Sequence, residues 1–172
     1  MVYRPKHPLT YRTIEPRYEG VPYGNGKLKD GYSIAVDGEI WPGMVMAEEG
    51  ALRFVLSDGD DFGDGGNGGE FFGLSHHWFA AEVDDTNAGL NPIAIWKGGG
   101  TYFVFNPALD PEADYSVPSS GVKELVAGAT SSGNKGMLIP RPDANVQPTV
   151  AILLNEIANG IELELLPPSH TY

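Results

Sequence analysis

Residues 150–166, Val-Ala-Ile-Leu-Leu-Asn-Glu-Ile-Ala-Asn-Gly-Ile-Glu-Leu-Glu-Leu-Leu, decide the fold class. Ile161, Leu163 and Leu165 alternate with Glu162 and Glu164. That is the two-residue period of a strand with one apolar and one wet face. Ala158-Asn159-Gly160 is a turn signal, because Asn and Gly accept backbone angles that other residues resist. The segment therefore predicts a β-hairpin of 150–157 and 161–166. Leu153, Glu156 and Ile157 also have helical spacing, so a short helix over 150–159 is the competing expectation. Pro167-Pro168 ends the last strand.

The same grammar extends toward the N-terminus. Strands are predicted over Ile93–Trp96 and Thr101–Phe105, divided by Gly98-Gly99-Gly100, and shorter runs at Val122–Val126 and Met137–Ile139. Further strands are predicted at Glu70–Val83 and Leu52–Leu56. Tyr32, Ile34 and Val36 alternate with Ser33 and Ala35 before Asp37-Gly38, which reads as a strand entering a hairpin turn. Residues 57–69 form an acidic, glycine-rich loop, and 106–120 a Pro- and Asp-rich one. Many short strands with frequent turns predict an all-β fold, a compact barrel or sandwich of short antiparallel strands.

The chain has 172 residues, enough for one domain with a real core. Its 23 Gly and 14 Pro have no fixed period and read as turns. With no cysteine, disulfides, thiolate zinc sites and cysteine nucleophiles are excluded. No stretch approaches the roughly 20 apolar residues of a membrane helix. Met1–Leu9 lacks the apolar core of a secretory signal. No membrane partner is expected.

Charge divides the chain. Residues 1–31 hold six basic and three acidic side chains, while the net charge of the whole is −12, so the remainder stands at −15. Such a body is a poor nucleic-acid binder, because phosphate contacts need Lys and Arg. Residues 1–31 contain Pro5, Pro8, Pro16 and Pro22 interspersed with Tyr3, Tyr11, Tyr18 and Tyr23. Proline suppresses helix, and tyrosine offers flat apolar area with a polar tip. The expectation is an extended, docked N-terminal arm over 1–31 and an acidic body over 32–172. Fully extended, the arm would span roughly 100 Å at ~3.3 Å per residue. Its partner-binding candidates are Tyr3, Arg4, Tyr11, Arg12, Arg17, Tyr18 and Tyr23.

Catalytic and metal motifs are broken at particular residues. An EF-hand register from Asp58 places Phe62 at the fifth position and Gly69 at the twelfth; one from Asp60 places Phe62 at the third. His76-His77 with Glu82 and Gly89 has part of the first cupin motif, but adjacent strand residues face opposite ways and cannot share one metal. No Gly-x-Ser-x-Gly elbow or phosphate-binding loop occurs. No cofactor and no enzymatic chemistry are expected. Trp41, Trp78 and Trp96 could stack sugars, which keeps a carbohydrate-binding or fibre-associated β-sandwich module as the alternative. Core or interface anchoring is the commoner use of tryptophan.

Four motifs recur in one order: Gly38-Glu39-Ile40-Trp41-Pro42-Gly43-Met44-Val45, Phe71-Phe72-Gly73-Leu74, Pro92-Ile93-Ala94-Ile95, and the pair Val150–Leu154 with Gly160–Leu166. This order resembles that of small capsid decoration (cement) proteins of tailed bacteriophages. The resemblance implies a virion structural protein on the outer capsid surface. It implies a homotrimer or similar oligomer that bridges neighbouring major capsid protein subunits and needs no active site.

Overall fold

A computed structural model describes residues 15–18, 21–50, 52–61, 71–76, 92–143 and 147–167. The fold is all-β. Five strands, β2 (Val21–Leu28), β3 (Val45–Glu48), β4 (Arg53–Leu56), β5 (Gly73–Ser75) and β6 (Pro92–Lys97), close into a barrel in the order β2-β4-β3-β5-β6. The other six are β1 (Glu15–Tyr18), β7 (Thr101–Phe105), β8 (Lys123–Ala127), β9 (Leu138–Pro140), β10 (Ala151–Ile157) and β11 (Gly160–Leu165). They form a second sheet in the order β1-β7-β11-β10-β8-β9. Leu109, four residues beyond β7, bridges Leu138 of β9, so this sheet curls back on itself. Tyr115 holds the curl: its hydroxyl accepts from the Asp110 amide and donates to the Leu138 carbonyl.

The decisive hairpin forms as two strands, and the competing helix does not. Ile157 pairs with Gly160, and Leu153 with Leu163. Ile161, Leu163 and Leu165 are buried and Glu164 is exposed. Glu162 departs from the alternation and is only 5 % exposed, next to the Asn155 amide at 3.2 Å. It lies between β10 and β7, opposite Asn155 and Phe103, where neighbours on both sides cover it.

Three predicted features are corrected. Residues 32–37 are not a strand: Ile34–Asp37 is one helical turn, α1. The Ser33 amide donates to the Asp37 carboxylate at 2.7 Å, and the Tyr32 hydroxyl to the Gly38 carbonyl at 2.7 Å. Local side chain–backbone bonds of this kind offer the chain an alternative to a ladder. Gly38, at φ +104, ends the turn where the hairpin was expected. Next, the strands are not all antiparallel, since β2 and β4 pair in parallel through Lys27↔Arg53 and Leu28↔Phe54. Finally, the extended arm expected over 1–31 is interrupted by structure: β1 pairs with β7, and β2 closes the barrel against β6 and β4. Residues 1–14 lie outside the described residues.

The core runs through both layers. Leu28, Ile40, Phe54 and Leu74 from the barrel and Tyr102, Leu125, Leu138 and Leu163 from the sheet belong to one buried cluster. Trp96 of β6 and Tyr102 of β7 meet at 5.5 Å between ring centres. Gly98, Gly99 and Gly100 between them all take positive φ, which lets the chain pass from barrel to sheet in three residues.

Candidate functional site

The junction between barrel and sheet carries an open groove of about 330 Å³. One wall is α1 and the turn after it, with Val36, Asp37, Gly38 and Glu39; the other is the 130–137 loop, with Thr130, Gly133, Lys135 and Met137. Trp41, Met44 and Leu56 lie beneath it and are all under 5 % exposed, and Pro107 also lines it. Val36 stands on the rim at 84 % exposure. The turn Trp41-Pro42-Gly43-Met44 positions two of the residues beneath the groove, with the Met44 amide donating to the Trp41 carbonyl at 3.0 Å and Gly43 at φ +91. Sequence reading missed this groove because it takes Val36 as a strand residue, whereas the groove wall is the helical turn α1.

Beside the groove two acids of the Gly-rich loop clasp the opposite layer. The Thr130 amide and hydroxyl both donate to Asp58, and those of Ser131 both donate to Asp60 at 2.6 and 2.7 Å. The Gly59 amide donates to the Gly128 carbonyl at 3.0 Å. Lys135 stands 4.0 Å from Asp58. The acids singled out as calcium candidates thus serve the Thr130–Ser132 turn, and residues 62–70 lie outside the described residues. Among the described residues no group of three His, Asp or Glu side chains is arranged to hold a metal.

Burial pushes the Asp58 carboxyl up, but the Thr130 hydroxyl, the Thr130 and Asp60 amides and Lys135 outweigh it and hold it below the ordinary value of 3.8. A carboxyl lowered in the folded state takes up protons more readily when unfolded, so its stabilisation is whole above that value and fades as pH falls through the lower folded one. Asp58→Ala should cost about 2 kcal/mol at pH 7, from lost charge-assisted bonds and stranded donors. The gap to wild type in denaturant midpoint should narrow below about pH 4. A gap that stays constant down to pH 2 would refute the clasp.

The partner-binding candidates fall into separate places. Tyr3, Arg4, Tyr11 and Arg12 lie outside the described residues. Arg17 and Tyr18 sit on β1, an outer strand of the six-stranded sheet, and Tyr23 sits on β2 in the barrel wall. Of the tryptophans, Trp41 and Trp96 are buried, and Trp78 lies outside the described residues. His76 packs edge-to-face on Trp96 at 5.6 Å, and His77 lies outside the described residues. Compared with known protein families, curated proteins and solved structures, the chain matches none.

Proposed function

We propose that this protein is a virion structural protein that binds an assembled phage capsid from outside and stabilises it by bridging neighbouring major capsid subunits. One observation carries the reading. Three of the four motifs behind the resemblance contribute to adjacent barrel strands: Val45 opens β3 and pairs with Leu74 of β5, and β5 pairs with β6 through Leu74↔Trp96 and Ser75↔Ile95. Segments spread over 58 residues of sequence thus meet in neighbouring strands. Proline in each outer strand, Pro16 in β1 and Pro140 in β9, blunts indiscriminate edge pairing and suits a protein crowded among copies of itself. The sugar-binding alternative needs exposed tryptophan, and among the described residues Trp41 and Trp96 are 3 % and 8 % exposed, while Trp78 lies outside them.

The test uses undecorated shells of tailed-phage major capsid proteins. Full-length protein should co-sediment with them saturably and raise the temperature at which they disrupt. Deleting residues 2–12 should weaken binding at least about tenfold, since many weak contacts are multiplied by avidity. A protein that stays in the supernatant at every concentration ends this proposal.

A further inference from the structure

We draw no further inference here: the strongest candidate, the outer face of the six-stranded sheet, where Glu162 and Glu164 of β11 stand opposite half-buried Phe103 of β7 and Ile152 of β10 respectively, carries nothing because it is an acidic cluster on an apolar face and nothing in the structure shows what covers it.

Discussion

Gly160→Ala should lower the thermal midpoint by roughly 10 °C, the consequence of about 3 kcal/mol of overpacking in a chain of this size. A β-carbon at Gly160 would stand 2.1 Å from the Val104 carbonyl oxygen and 3.0 Å from the Phe105 α-carbon. Both are backbone atoms of the paired strand β7, so no side chain can rotate away. Gly160 does not take a positive φ, whereas its neighbour Asn159 does, at +64. The turn's conformational demand thus falls on Asn159, and Asn159→Ala should cost about 1 kcal/mol, the ordinary penalty for a left-handed non-glycine residue. Denaturation of the two variants side by side decides the matter. If Asn159→Ala is the more damaging, Gly160 is a turn glycine and the close approach of β7 is not what selects it.

That contrast shows how the fold was legible. The hairpin could be read from alternation and an Asn-Gly turn, but the glycine is there for a strand more than fifty residues upstream, and sequence spacing carries no record of that neighbour. Local signals misled where side chains bonded to their own backbone: Tyr32, Ile34 and Val36 alternate like a strand, yet Asp37 and Tyr32 close the segment into α1. Val-Pro-Tyr-Gly-Asn-Gly-Lys-Leu over β2 has two glycines and a proline and no alternation, so nothing local marks it as a barrel strand. The acidic loop was visible, but not that Asp58 and Asp60 would be held by Thr130 and Ser131, since that pairing depends on two layers meeting. What sequence reports well is each strand's own pattern; closure, parallel pairing and the groove are relations between elements.

β2 offers the second large effect, because its place in the barrel is the sharpest departure from the expected arm. A β-carbon on Gly26 would lie 2.4 Å and 2.6 Å from two carbons of the Phe54 ring, and 3.3 Å from Ile93. Phe54 is fully buried on β4 and meets Phe72 edge-to-face at 4.8 Å. Phe54→Ala should therefore cost about 4 kcal/mol, through lost transfer energy and a cavity that barrel strands on either side hold open. Gly26→Ala alone should cost about 2 kcal/mol by pressing on the ring. In a Phe54→Leu background the new methyl group gains the space the ring edge vacated, so the penalty of Gly26→Ala should shrink by more than about 1 kcal/mol. That coupling is the informative quantity. Two sites that do not touch add to within about 0.5 kcal/mol, and additive behaviour would mean that residues 21–28 leave the barrel in solution and behave as the arm that composition suggested. A clear coupling instead fixes β2 as the strand that closes the barrel.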